Sequence, residues 1–234
     1  VGAGSAGLVC AYIAATVKGK VTLVENGRMG GDCLNTGCVP SKALIRTARL
    51  MADIRRGREL GLRDARATVD FADVMARVGR VIATVAPHDW VERYTALGIE
   101  CVPGEARIVS PYQVDIATTS GVRSLTTRAI VIATGARPLV PPIAGIETVD
   151  CLTSDTVWDL SEQPRRLLVL GGGPIGCELA QCFARLGSEV TLVEMQPRLL
   201  AREDPEVSAL IVERFVAEGI RVLTGHAAER FIAD

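Results

Sequence analysis

Two glycine-rich turns constrain this chain more than anything else in it. Gly2-Ala3-Gly4-Ser5-Ala6-Gly7 is followed by an apolar stretch and then Val21-Thr22-Leu23-Val24-Glu25. Gly171-Gly172-Gly173-Pro174-Ile175-Gly176 is followed by an apolar stretch and then Val190-Thr191-Leu192-Val193-Glu194. From first glycine to acid the interval is 23 positions in both copies. Each copy reads as turn, helix, strand, acid, which is the opening of a dinucleotide-binding unit. The first glycine permits a tight turn, the second lets the backbone approach a pyrophosphate, and the third lets helix and strand pack closely. The helix N-terminus offers unpaired N–H groups to the phosphates, and the acid accepts bonds from ribose hydroxyls. One such turn is weak evidence; two at equal spacing are not a coincidence of turn residues.

The rest of the chain fits around these copies. Leu167-Leu168-Val169-Leu170 supplies the strand before the second turn, and Val1 is the remnant of the strand before the first. Helices are expected at about 33–56, 71–97 and 204–218, and a strand at Ile220-Arg221-Val222-Leu223. Residues 99–133 break into short β-rich runs around Pro103-Gly104, Ser110-Pro111 and Ser120-Gly121. Ile130-Val131-Ile132-Ala133 reads as a buried strand ending in Thr134-Gly135, and Pro138 to Gly145 as a linker. Arg55, Arg56 and Arg58 read as a solvated face. The chain opens inside a strand-to-turn motif and ends at Ala233-Asp234 after a strand-like run with no closing element. It therefore reads as a fragment, and a missing signal peptide carries no weight.

Charge and composition exclude some partners. A formal net charge of -1 gives no field that would favour a nucleic acid. No run of about 18 apolar residues suggests a membrane span. Seven cysteines, an odd number and mostly scattered, do not form a secreted disulfide framework. A reducing, cytoplasmic compartment with one catalytic pair fits better.

That pair is Cys33 and Cys38, in Gly30-Gly31-Asp32-Cys33-Leu34-Asn35-Thr36-Gly37-Cys38-Val39-Pro40-Ser41-Lys42. A structural bridge over so short a loop would stabilise by only roughly 2 kcal/mol. Zinc sites usually pair cysteines more closely, and no second ligand pair is evident. Redox chemistry is the better use, and the start of a helix favours a thiolate. Cys10, Cys101, Cys151, Cys177 and Cys182 read as small buried hydrophobes, and His88 and His226 as structural or exposed.

The stretch from Gly30 to Lys42 closely resembles the active-site signature of class I pyridine nucleotide–disulfide oxidoreductases, which include dihydrolipoamide dehydrogenase, glutathione reductase and mercuric reductase. The resemblance extends over nearly the whole chain. Gly2, Gly4, Gly7 and Glu25 match the family's FAD fingerprint, and Ala133, Thr134 and Gly135 its second flavin motif. Gly171, Gly173, Gly176, Glu178 and Glu194 match its nicotinamide-nucleotide fingerprint. Gly104-Glu105-Ala106 sits where the family's backbone meets the adenine, and Gly31 lies in the flavin-side signature. The implied fold is α/β, with two Rossmann-like dinucleotide-binding domains, a small β-meander and no C-terminal interface domain. Residues 1–150 would bind FAD and carry the redox disulfide; 151–234 would form an incomplete NAD(P)-binding domain.

The resemblance also implies roles. Cys38 lies against the flavin as the charge-transfer thiolate, and Cys33 is the interchange thiol. Lys42 and Glu178 fall where the family places an ion pair near the flavin. Pro174 replaces a gating tyrosine found in some relatives. Electrons would pass from a reduced nicotinamide through the flavin into the Cys33–Cys38 disulfide, and freed Cys33 would attack a disulfide substrate or Hg(II). Leu34-Asn35-Thr36 and Pro40-Ser41-Lys42 lean towards the dihydrolipoamide dehydrogenase and mercuric reductase branches. NADH is expected over NADPH, because Glu194 would repel a 2′-phosphate, although Arg198 lies four residues on. The full-length protein is expected to be a homodimer. The family's catalytic base is a C-terminal histidine from the partner subunit, which nothing here matches, so the chain by itself is expected to lack turnover. The competing reading is a flavin-binding interaction or redox-sensing module without a disulfide substrate.

Overall fold

The computed structural model describes residues 1–232, so Ala233 and Asp234, read above as following a strand-like run, lie outside the described residues. Packing divides the chain into two units: Val1–Pro40 with Gly79–Pro138, and Ser41–Val78 with the stretch from Leu139 onward.

In the first unit, helix α1 (Ser5–Thr16) follows the first glycine turn and leads to strand β1 (Thr22–Glu25). Short helix α2 (Gly31–Asn35) and the start of α3 (Cys38–Arg55) come next. The unit resumes with the end of α4 (Phe71–Val85), a 3-10 turn at Ala86–His88 and α5 (Val91–Ala96). The expected helix over 71–97 is therefore broken. Pro87 lacks an N–H to continue the ladder, and Trp90 takes an extended conformation before α5.

Strand β2 (Glu100–Pro103) pairs parallel to β1, with Thr22 opposite Glu100 and Glu25 opposite Pro103. Val1 and Gly2 flank β1 on its other side, the Gly2 N–H donating to Val24 O at 2.8 Å. Ala3, Leu8, Ala11, Leu23, Tyr94 and Ile99 close the core where α1 covers this sheet. Strands β3 (Glu105–Ser110), β4 (Gln113–Thr118) and β5 (Gly121–Thr126) form an antiparallel meander. Its Val114 and Ile116 pack on Val24 and Val102.

The run 130–133 is a correction to the sequence reading. It is extended but forms no regular strand, and Val131 and Ile132 are 50% and 69% exposed. Its ladder consists of bonds with Val1 alone, from the Val1 amino group to Val131 O and from Ala133 N–H to Val1 O, both 2.8 Å. One residue cannot sustain a strand pairing or bury a strand's face.

In the second unit, β6 (Arg166–Leu170), β7 (Glu189–Glu194) and β8 (Arg221–Thr224) form a parallel sheet in that order. Helix α6 (Pro174–Leu186) connects the first two strands and α7 (Pro205–Ala217) the last two. Parallel strands require such crossovers; Ala180, Phe183, Leu186 and Phe215 of these helices are buried, as are Val190 and Leu192 of the central strand. The parts of α3 and α4 in this unit join at Arg77, whose guanidinium donates to Ala43 O at 2.8 Å, and Phe71 meets Phe183 with ring centroids 5.9 Å apart. Arg185 grips Glu218 through bonds of 2.8 and 2.7 Å, tying the end of α6 to the end of α7. Among the described residues no helix is long and apolar enough to cross a membrane.

Candidate active site

The first glycine turn is a set of close backbone approaches. A side chain on Gly7 would collide with Gly2 O, so α1 leaves the turn directly against the chain that enters it. Ala133 O crowds Gly2 in the same way, and a Cβ on Gly2 would lie 3.1 Å from Thr134 N. The expected second motif, Ala133-Thr134-Gly135, thus borders the first glycine turn. Gly31 has φ of +54°, and a Cβ on it would lie 2.6 Å from Gly4 Cα. Only glycine fits there, and its presence brings the start of α2 onto the second glycine of the fingerprint. No side chain caps the N-terminus of α1, which leaves its first-turn donors available to an anion.

The second unit repeats this construction. A side chain on Gly176 would strike Gly171 O. Nothing lies within 4 Å of where a Cβ on Gly173 would be, so the backbone there faces open space. The N-terminus of α6 likewise lacks a side-chain cap, and Pro174 at its start gives up one N–H that would have had no helical partner. Open space beside the second glycine and an uncapped helix start suit a diphosphate.

The acids do something that sequence reasoning missed. Glu25 accepts from Ala3 N–H at 2.6 Å with one carboxylate oxygen and from Gly27 N–H at 2.7 Å with the other. Glu194 accepts from Gly172 N–H at 2.6 Å and Gln196 N–H at 2.7 Å. Ala3 and Gly172 are buried and occupy equivalent places between the first two glycines. Each acid therefore satisfies a buried donor and fastens its glycine turn to the end of the neighbouring strand, while its remaining lone pairs stay available for hydroxyls. The equal spacing was the only trace of this in the sequence. Gly104 N–H donates to Glu25 O at 2.8 Å, which draws the head of β3 to the same corner. Ala106, two residues on, pairs with Ile116 and packs its side chain on the inner core.

The two signature cysteines lie on either side of a helix break. Gly30 and Gly31 both have positive φ and start α2; Leu34 anchors it, 3% exposed. The Asn35 side-chain amide turns back to Met29 O and Gly31 O at 3.0 and 2.9 Å, which closes the helix. Thr36 N–H bonds to Asp32 O at 2.9 Å, and Gly37 folds so tightly that a Cβ on it would lie 3.6 Å from Cys33 Cα. Cys38 then opens α3, with Pro40 buried in the first turn, where a missing N–H costs nothing. The expected helix over 33–56 is split by this tight turn, and the split sets Cys38 on the positive end of α3. Cys33 is half-buried and Cys38 exposed.

In the second unit the Lys42 ammonium meets both Glu178 oxygens, at 2.8 and 3.0 Å, joining α3 to α6. The pair spans 136 positions, so it is not a local helix salt bridge. Cys177 and Cys182 are buried as expected, and burial pushes their thiols up to about 11 and about 12. Cys10 and Cys151 correct the same expectation, since both are exposed. Cys10 lies off the face of α1 that buries Gly7, Leu8 and Ala11, and Cys151 lies in the irregular stretch before β6. His88 and His226 are exposed, and the His226 ring sits 2.7 Å from Thr224 O. No cluster of potential metal ligands occurs among the described residues.

A family model for pyridine nucleotide-disulphide oxidoreductases matches residues 1–234. The chain belongs to that family. Among curated relatives it is 35% identical to a mercuric reductase of Bacillus cereus, over 100% of this chain and 36% of that protein. It is also 35% identical to a dihydrolipoyl dehydrogenase of Geobacillus stearothermophilus, over 98% of this chain and 48% of the other. Among solved structures it resembles the Cu(II) complex of the HOCl-induced flavoprotein disulfide reductase RclA from Escherichia coli. There the TM-score is 0.83 at 28% identity, covering 100% of this chain and 50% of the other. The chain thus spans half or less of the length of these family members.

Proposed function

We propose that this chain is the flavin- and nicotinamide-binding part of an FAD-dependent disulfide oxidoreductase whose redox couple is Cys33 and Cys38. The observation that carries the reading is the break between α2 and α3, which folds Gly37 against Cys33 and sets Cys38 at the positive start of a long helix. A cysteine there is favoured as a thiolate. In this reading residues 1–150 bind FAD through Gly2, Gly4, Gly7, Glu25, Gly31, Ala106 and Ala133 to Gly135. Residues 151–234 bind the nicotinamide nucleotide through Gly171, Gly173, Gly176 and Glu194, and Lys42 and Glu178 are further cofactor-binding residues. FAD, when bound, supplies the link between two-electron hydride chemistry and thiol chemistry. Cys38 would face the flavin, and reduced Cys33 would attack a disulfide substrate, displacing one of its thiols, or bind a thiolate-seeking metal ion; with a dithiol substrate the path runs in reverse, the substrate thiolate opening the Cys33–Cys38 disulfide.

The substrate is a small disulfide or dithiol, as for a dihydrolipoyl dehydrogenase, or Hg(II), as for a mercuric reductase. The whole protein acts as a homodimer. The odd number of cysteines and the exposed Cys10 and Cys151 support a reducing, cytoplasmic setting.

The deciding experiment is anaerobic reduction of the full-length enzyme. Two-electron reduction should give a long-wavelength thiolate-to-flavin absorption band. Cys33→Ser should keep bound flavin and that band while losing disulfide turnover. A flavoprotein with no such band, and unaffected by Cys33→Ser, would be the sensing or interaction module instead.

NADH is the favoured reductant. The Glu194 carboxylate is held in place by two backbone N–H groups, and the Arg198 guanidinium donates to Ala201 O at 2.7 Å. A 2′-phosphate would meet a fixed carboxylate, while Arg198, four residues on, is engaged by a main-chain oxygen. Flavin reduction in stopped flow should favour NADH by about tenfold or more, a difference of about 1.4 kcal/mol. Glu194→Gln, which keeps an acceptor oxygen and removes the charge, should narrow that gap; an unchanged ratio would place the selectivity elsewhere.

A further inference from the structure

Four arginines converge at the end of α3, in a place the proposed reaction does not use. Arg55, Arg58, Arg63 and Arg66 line a cavity of about 140 Å³, together with Ile54, Leu62, Ala65 and Asp64. Arg55, Arg56 and Arg58, read from the sequence as a solvated face, are indeed exposed. The fold adds Arg63 and Arg66. After α3 the chain turns back on Gly57, with Leu62 N–H donating to Gly57 O at 2.8 Å. Gly57 is buried, and a Cβ on it would lie 2.7 Å from Ala65 Cβ and 3.4 Å from Leu62 Cβ. That close approach keeps the returning loop against the helix end, so that Arg63 and Arg66 line the same cavity as Arg55 and Arg58.

The cluster is short of negative charge. Arg56 points elsewhere and pairs with Glu59 at 2.9 Å. Among the described residues none of the four lining arginines makes an ion pair, and Asp64 is the one carboxylate in the lining. The four arginines are exposed to solvent, and like charges lining one cavity repel unless an anion sits between them. Guanidinium forks match the oxygens of a phosphoryl group two at a time, which a point charge does not. Pockets for drug-sized ligands run to roughly 300–1,000 Å³. A cavity less than half that lower bound suits a small multivalent oxyanion.

We propose that the cavity at the end of α3 binds a phosphate-sized oxyanion through Arg55, Arg58, Arg63 and Arg66. The ligand is an inorganic phosphate or the phosphoryl group of a small phosphomonoester. The site is independent of the nucleotide-binding turns and of the cysteine pair.

Titration calorimetry on the full chain, at pH 7 and constant ionic strength in chloride, tests this with inorganic phosphate as the probe. One saturable site is expected. The exposed double variant Arg58→Ala/Arg63→Ala, checked by circular dichroism to be folded, should bind at least about tenfold more weakly, the loss expected for charge-assisted hydrogen bonds. Arg58→Lys, which keeps the charge and loses the fork, should also weaken binding several-fold. Glycerol 3-phosphate as a second titrant identifies the source: affinity equal to that of phosphate assigns the site to a carried phosphoryl group, and clearly weaker binding assigns it to the free anion. Absence of a saturable isotherm with both probes overturns the proposal. So does an isotherm unchanged in the double variant, or an Arg58→Lys variant indistinguishable from wild type, which would mean diffuse attraction to a basic surface.

Discussion

A thiol reacts as its thiolate, so burial and nearby charge sort the seven cysteines into reactive and inert groups. Cys177 and Cys182 lie inside α6 packing, where burial holds them protonated up to about 11 and about 12. Cys10 and Cys151 are open to solvent. Brief iodoacetamide treatment of the native protein should therefore label Cys10 and Cys151 and leave Cys177 and Cys182 unmodified until denaturant is added. Mass spectrometry of the digested protein reads this directly. Early labelling of Cys182 would contradict the packing of α6. A pH dependence follows from the same burial. An unfolded thiol ionises near 9.0, whereas folded Cys182 stays neutral to about 12. Its contribution to stability is complete below pH 9 and is lost as pH rises from there towards 12. Urea midpoints measured from pH 8 to pH 10.5 should fall more steeply for the wild type than for Cys182→Ala. The signature pair was legible in the sequence because its chemistry lies in local spacing. Cys10 was not, because α1 is apolar on all sides, with Val9, Tyr12 and Ile13 exposed although nothing in their type distinguishes them from buried Leu8.

At the scale of elements, turn residues and periodicity fixed helix and strand positions to within a residue or two where the pattern was regular. The expected helix at 204–218 is α7 (Pro205–Ala217), and the expected strand at 220–223 is β8 (Arg221–Thr224). Failures occurred where a short-range bond competes with the ladder. The Asn35 side chain and Gly37 end α2 inside what reads as one helix, and Pro87 divides α4 from α5. The run 130–133 has strand chemistry, but pairing partners determine strand structure and are not written in the run itself. The acid at the end of each first crossover was expected to act on a ligand, and in the structure it also secures the turn. Glu25→Ala should leave the buried Ala3 N–H without an acceptor, at a cost of about 1–3 kcal/mol. Equilibrium urea denaturation of that variant should show a lowered midpoint with the slope unchanged. A midpoint equal to wild type would mean that the bond is replaced by water.

For the molecule as a whole, the repeat read in the sequence became two parallel sheets, each entered through a glycine turn and each closed by an acid. What the sequence concealed was how distant segments complete each unit. Residues 131–133 join the first through Val1, and parts of α3 and α4 belong to the second. Both glycine turns are stapled to their sheets by carboxylates that belong to the protein itself, at 2.6 Å to Ala3 N–H and 2.6 Å to Gly172 N–H. On the proposed reading, a nucleotide arriving at either turn would meet a backbone already fastened to its sheet. Little chain entropy remains to be lost on association, in contrast to sites that must freeze a mobile loop. Amide exchange offers the check. Ala3 and Gly172 should exchange slowly before any nucleotide is added and change little afterwards, and binding should proceed in a single phase whose rate rises linearly with nucleotide concentration.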